Sequence, residues 1–376
     1  MSTHVLIVGA GAVGAFYGSR LHSAHGISTP QTLVSVVCRS NYNVVKAKGF
    51  RIESPKFGST VWTPHRVFQT CMEAARSGIG FDYIIVATKS LPELHDGSID
   101  IEPVIAASHH RGSSLEHHQS STDTGYESPL SPSPTIVLIQ NGFGIEWPYR
   151  TRFPHSPILS CVAIVSCQQP DPGLILHNRW TRISIGPFFN RILAVGDSGL
   201  DSVPKTHANV QEVMAKMNTF IALLKAGGVS DAEPLDEVGI QIARWHKLAV
   251  NSTFNPSSIL GGGVGSWDLL SDPVVEEHAR GCMKEIFDAA PVLFGAPFPA
   301  HFATIDAILK STKRNKGSKP SMLADWEAGR PLELQVILGN PLLLARQHGV
   351  EMPRLQTVYA LIKSAAERRA INKSKL

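Results

Sequence analysis

The chain has 376 residues, 43% of them hydrophobic and 18% charged, with a formal net charge of +4. That length predicts about two domains with enough apolar content for packed cores, and the interspersed charge excludes a nucleic-acid-binding stripe while suiting small anionic ligands. No apolar run reaches the roughly 20 residues of a membrane span, and five cysteines without paired short spacing argue for free thiols in a reducing compartment, against a disulfide framework or a zinc site.

The first element is the apolar run Val5-Leu6-Ile7-Val8, read as a parallel strand buried on both faces. It starts close enough to Met1 that no cleaved presequence is expected ahead of it. Gly9-Ala10-Gly11-Ala12-Val13-Gly14 follows at once and runs into a helical pattern through Phe16 and Leu21. This is G-x-G-x-x-G between a strand and a helix, the context in which it binds a dinucleotide. The first glycine allows the tight turn, the second lets backbone approach the pyrophosphate, and the third lets helix pack on strand. The helix N-terminus turns its free N–H groups to the phosphates.

A second strand, Leu33–Cys38, ends at Arg39. An acidic side chain at this place reads the ribose 2′-hydroxyl of NAD, whereas a basic one suits the 2′-phosphate of NADP. No acidic residue near the strand end in the sequence offers itself as a substitute, so NADP (NADPH) is the expected cofactor.

Asp82–Ser90 reads as a central strand with a polar C-terminal end, which places Lys89 where open α/β sheets bind ligands. Ile136–Ile139 is a further strand ending in Gln140-Asn141-Gly142-Phe143-Gly144. Asn141 then stands where a nicotinamide and a substrate would meet, although an ordinary Asn-Gly turn has the same spacing. Between these strands the stretch from about Ser108 to Pro134 is rich in Ser, His and Pro and is expected to be a disordered surface insertion. Its paired histidines lack acidic or cysteine ligands at fixed spacing, so no metal site is expected. Strands are expected around Ile158–Ser166 and Arg182–Gly186, then a helix from about Val210 to Ala226, stopped by Gly227-Gly228.

From about Asp236 onward helical periodicity dominates. Lys247, Asn251 and Asn255 are spaced four apart, which stacks them along one helix face that Pro256 is expected to end. An ammonium flanked by neutral carboxamides suits a bound carbonyl: the amides position it and the ammonium polarises and protonates it. An ordinary lysine pKa of about 10.4 leaves the ammonium abundant at neutral pH, so no large shift is needed. Further helices are expected over Glu276–Phe287, near Phe302–Leu309 and over Arg354–Arg369, with a basic loop at Thr312–Lys319.

Taken together, Gly9-x-Gly11-x-x-Gly14, Asn141-Gly142-x-Gly144, Lys247-Leu-x-x-Asn251-x-x-x-Asn255-Pro256 and Ser321-Met322-x-x-Asp325 followed by Glu333 resemble the ketopantoate reductase (2-dehydropantoate 2-reductase) family. The resemblance implies an α/β Rossmann domain with a doubly wound, mostly parallel sheet over 1–236, followed by an all-α domain over 237–376, with the active site in the cleft between them. It implies NADPH-dependent reduction of 2-dehydropantoate to pantoate, on the route to pantothenate and coenzyme A. Lys247 would be the proton donor, and Asn141, Asn251, Asn255 and Ser321 would bind substrate. Gly9, Ala10, Gly11, Ala12, Val13, Gly14, Arg39, Lys89, Asn141 and Glu333 would contact NADP. Members of the family often carry another substrate-binding Asn shortly after the Asn-Pro pair, where this chain has Gly261-Gly262-Gly263-Val264-Gly265. A related reductase of another branched 2-keto acid, or a catalytically silent NADP-binding protein, therefore stand as alternatives.

Apolar faces in the helical part fit a homodimer. The terminal Ser374-Lys375-Leu376 matches an address read by the peroxisomal import receptor. Peroxisomal localisation is the expectation, with the cytoplasm as the alternative.

Overall fold

The computed structural model describes residues 2–22, 31–116, 133–190, 208–317 and 319–374. The first part alternates strands and helices: β1 (Thr3–Val8), α1 (Ala12–His22), β2 (Thr32–Val37), α2 (Tyr42–Lys48), β3 (Phe50–Ser54), β4 (Gly58–Trp62), β5 (Val67–Phe68), α3 (Cys71–Arg76) and β6 (Tyr83–Val86). It continues with α4 (Gly97–Glu116), β7 (Thr135–Leu138), α5 (Trp147–Arg152), β8 (Ile158–Gln168), β9 (Leu174–Pro187), α6 (Val210–Ala226) and β10 (Ala232–Pro234). The second part is helical: α7 (Glu237–Leu260), α8 (Ser266–Leu269), α9 (Pro273–Phe294), α10 (Ile305–Arg314), α11 (Ser321–Glu327), a π-helical turn (Gln335–Gly339), α12 (Asn340–Gln347) and α13 (Pro353–Ser374).

The described strands form one sheet in the order β4-β3-β9-β8-β7-β6-β1-β2-β5, with β10 beside β9. Read from β5 to β8, the order is that of a doubly wound nucleotide-binding sheet. All five pairings in that stretch are parallel. Strand order reverses between β1 and β6, so the ligand crevice opens beyond the C-terminal ends of these two strands. The hairpin of β3 and β4 is cut into the chain before β5, yet it pairs through β3 with β9 at the far side of the sheet.

Alternation along β1 sorts side chains into two cores, as the strand period requires. Val5 and Ile7 join one apolar cluster with Phe16 and Phe220. Leu6 and Val8 join the other, which runs without interruption into the helical part through Trp245, Leu248, Met283 and Leu355. The sheet and α7 therefore share a core. Trp245 is its anchor: it is fully buried, donates from Nε1 to Ile286 O at 2.9 Å and meets the Phe143 ring edge-on at 5.3 Å between centroids. Truncating a residue so placed costs about 3–5 kcal/mol.

The structure corrects several expectations. Helix α4 continues to Glu116, so the stretch expected to be disordered from Ser108 is helical for its first nine residues; residues 117–132 lie outside the described residues. Helix α7 passes through Pro256 and ends only at Leu260. Proline costs a helix one backbone hydrogen bond, and here the helix is buried on both sides of it, from Ser252 to Ile259, so packing holds the turn. Helix α10 reaches Arg314, which shortens the expected basic loop and lets Lys313 pair with Glu276 at 2.6 Å.

Candidate active site

The glycine-rich turn has the backbone its sequence requires. Gly9 has φ +94°, and a Cβ there would lie 2.6 Å from the Thr88 backbone nitrogen. A Cβ on Gly14 would lie 2.4 Å from Gly9 O, so only glycine lets α1 sit this close to the turn. At Gly11 the nearest neighbour would be Gln169 Oε1 at 3.9 Å, which leaves that backbone approachable. Gly9 N and Ala10 N lie 3.4 and 3.5 Å from Val37 O, and Asn41 Nδ2 donates to Ala10 O at 2.9 Å. The turn is thus tied to the end of β2, where Arg39 stands. Ala12 and Val13 open α1. A dinucleotide pyrophosphate fits this cradle: open backbone at the second glycine and the N-terminus of an eleven-residue helix facing it.

Beyond β7, the Lys247 ammonium donates to Asn141 Oδ1 and to Ala163 O, both at 2.7 Å. Asn141, Lys247 and Asn251 line one small cavity together with Gln140, Gly142, Cys161, Val162, Arg244 and Leu248. Burial first and the Arg244 charge second, against the opposing Glu333 carboxylate, lower the Lys247 pKa to about 8. Acid chemistry at an ordinary lysine pKa needs no shift, yet the site lowers the value. Removing an ammonium from water disfavours its charged form, and two neutral acceptors do not cancel that.

Glu333 is the matching carboxylate. It accepts from Ser90 N at 3.0 Å, and burial raises its pKa to about 7, with Ser90 and Lys89 opposing. Lys89 is ion-paired with Asp325, which also accepts from Arg330 Nε at 3.0 Å. Lys89 and Ser90 follow β6, whereas Asp325 and Glu333 belong to the helical part, so these contacts close the crevice side of the junction. Asn255 is 4% exposed, lies two turns beyond Lys247 on α7 and does not line the cavity; its Nδ2 has no hydrogen-bond partner among the described residues. Ser321 is the exposed first residue of α11 and is likewise outside the cavity lining.

A second set of residues was not assigned from the sequence. Arg244 donates to Gln140 O at 3.0 Å, Gly142 O at 2.8 Å, Ser160 Oγ at 2.7 Å and Cys161 O at 3.0 Å. Its Nε lies 3.2 Å from Glu146 Oε1, and the two side chains are 3% and 1% exposed. Gln241 Nε2 and Ser160 Oγ donate to the same carboxylate oxygen at 3.1 and 2.5 Å. This buried network braces the backbone on both sides of Asn141. A signal was present: Gln241 and Arg244 extend the polar stripe of Lys247 and Asn251 along a mainly buried helix. The turn is gripped from below as well, since Phe143 N donates to Val336 O at 2.7 Å and Asn340 Nδ2 donates to Phe143 O at 2.8 Å. Among the described residues no group of three or more His, Cys, Asp or Glu could hold a metal ion.

Comparison with known proteins agrees with this fold. Residues 5–110 and 117–190 match the family profile described as ketopantoate reductase PanE/ApbA, and residues 239–366 match that of its C-terminal part. The chain belongs to the ketopantoate reductase family. It is 27% identical to an uncharacterized protein of Saccharomyces cerevisiae, over 96% of this chain and 92% of that one. It is 23% identical to a 2-dehydropantoate 2-reductase of a Nostoc species, over 95% and 93%. Among solved structures, the 2-dehydropantoate 2-reductase of Methylococcus capsulatus superimposes with a TM-score of 0.71 at 29% identity, covering 97% of each chain. A ketopantoate reductase family member is an NAD(P)H-dependent oxidoreductase with a mostly parallel sheet domain and a helical C-terminal domain, as seen here.

Proposed function

We propose that this protein reduces 2-dehydropantoate to pantoate with NADPH, and so serves pantothenate and coenzyme A synthesis. The observation that carries the reading is the Lys247 ammonium held on Asn141 Oδ1 in a cavity shared with Asn251, beyond the C-terminal end of β7. Gly9 to Gly14 would hold the cofactor pyrophosphate, and Arg39, Lys89 and Glu333 would contact the rest of it. Bound there, a reduced nicotinamide supplies hydride to a substrate carbonyl carbon. Negative charge then develops on the carbonyl oxygen, and Lys247 both stabilises it and delivers the proton. With a pKa of about 8, Lys247 is about nine-tenths protonated at neutral pH and gives up its proton more readily than an ordinary lysine. Asn141 aims the ammonium, and Asn251, Asn255 and Ser321 are proposed to bind the substrate.

The test is oxidation of NADPH and of NADH by the purified protein with ketopantoate and a small panel of other 2-keto acids. Turnover with ketopantoate and NADPH supports the proposal. Faster turnover with another branched 2-keto acid replaces it with the sibling reaction, a reading favoured by Gly262 and Gly263, which carry no side chain and face open space. Dinucleotide binding without any turnover would make the chain a silent binding protein. We propose also that it works as a homodimer, to be checked by light scattering. Ser374-Lys375-Leu376 is proposed as a peroxisomal address, to be checked by imaging a fluorescent fusion with and without the tripeptide; Lys375 and Leu376 lie outside the described residues.

A further inference from the structure

The charge at the end of β2 is not the lone arginine that the sequence presents. Arg39 Nη2 lies 2.8 Å from Asp100 Oδ2, and His95 Nε2 lies 3.0 Å from Asp100 Oδ1. Asp100 is in the first turn of α4, 61 residues beyond Arg39. The topology brings it there. β6 pairs with β1, so the segment leaving β6 emerges beside the glycine-rich turn, and a Cβ on Gly9 would touch Thr88. The start of α4 then reaches the end of β2 on the other side of β1. The arginine side chain is 71% exposed and the aspartate 22%, so the pair is open to solvent at the end of β2.

An acid at this place accepts from a ribose 2′-hydroxyl, and a base binds a 2′-phosphate. Here both stand together, supplied by two elements. We propose that Arg39 and Asp100 form a two-sided reader of the cofactor ribose, in which Asp100 determines specificity by admitting NADH and holding back the preference for NADPH. A 2′-phosphate must take Arg39 from Asp100 and then stand near a carboxylate. A 2′-hydroxyl can donate to Asp100 and leave the ion pair in place. The exchange is finely balanced, because an exposed ion pair of this kind is worth no more than about 1 kcal/mol, roughly a fivefold change in affinity. His95 holds the second carboxylate oxygen and so limits where Asp100 can turn.

This proposal rests on the placement of Arg39 at the adenosine end of the cofactor. It is tested by equilibrium titration of the full chain with NADPH and with NADH, read by nicotinamide fluorescence, for the unchanged protein, Asp100→Asn and Arg39→Met. Asn keeps the size of the side chain and one acceptor oxygen, removes the charge and turns the second acceptor into an N–H donor. Asp100→Asn is expected to raise the ratio of NADH to NADPH dissociation constants by at least about threefold, from tighter NADPH and weaker NADH binding. Arg39→Met is expected to lower the ratio. If Arg39→Met lowers it and Asp100→Asn leaves it unchanged, Asp100 is not a reader and the proposal falls, while the placement of Arg39 stands. If Arg39→Met leaves the ratio unchanged, the placement itself is wrong and the proposal goes with it.

Discussion

Arg244 and Lys247 stand three residues apart on α7 and hold the same loop by different means. The guanidinium grips the carbonyls of Gln140 and Gly142, while the ammonium grips the side chain of the residue between them, Asn141. The position of Asn141 is therefore set by contacts to the backbone on either side of it. Preorganisation of this kind lets a site stabilise developing charge without rearranging as it forms.

Lys247→Ala should lower kcat by about a hundred- to ten-thousandfold, the range for a positioned proton donor. Dissociation constants for the dinucleotide should change little, because among the described residues the Lys247 ammonium bonds Asn141 and Ala163, outside the glycine-rich turn. Steady-state kinetics with parallel cofactor titration checks this. Equal losses in turnover and in cofactor binding would show that Lys247 serves the fold.

The pH profile of turnover should fall on its alkaline side through about pH 8, where Lys247 loses its proton. The acid form is the active one for reduction, so the rate is full below that value and declines as pH rises through it. Glu333 raises the Lys247 pKa, so Glu333→Gln should move the decline to lower pH. A profile that stays flat through pH 9 would count against Lys247 as the proton source.

Arg244→Met should destabilise the fold by about 3–5 kcal/mol, since it strands the Glu146 carboxylate in a site where that side chain is 1% exposed. Adding Glu146→Leu to the same chain should restore part of the loss by removing the stranded charge. Urea denaturation of both variants decides the point. If the double variant is the less stable of the two, the carboxylate is supported by its other donors, Gln241 and Ser160.

Gly142→Ala should cost about 1–3 kcal/mol. Gly142 has φ +95°, a region L-residues avoid, and a Cβ would lie 2.5 Å from the Val336 side chain of the π-helical turn. The loop would have to shift, and Asn141 with it, so kcat should drop along with the melting temperature. An unchanged melting temperature would mean that the π-helical turn yields easily.

Much of this was readable in the chain itself because it depends on local rules. Strand β1, the turn from Gly9 to Gly14 and helix α1 follow from an apolar run, glycine spacing and helical period within about twenty residues. The four-residue spacing of Lys247 and Asn251 placed both on one helix face, and the structure adds Asn141 to them in one cavity. What the sequence could not carry is whatever depends on two distant segments meeting. Burial of the Lys247 ammonium, and with it a pKa near 8, comes from packing α7 against β8 and the turn after β7. Pro256 remained inside α7 because burial outweighed one lost hydrogen bond. Arg39 is unopposed in the sequence because no acid follows the end of β2 closely, whereas Asp100 comes from α4 across the sheet. Local stereochemistry acts over a few bonds and is written residue by residue; charge pairing and desolvation act through space, and only the closed sheet with its helices determines which groups become neighbours.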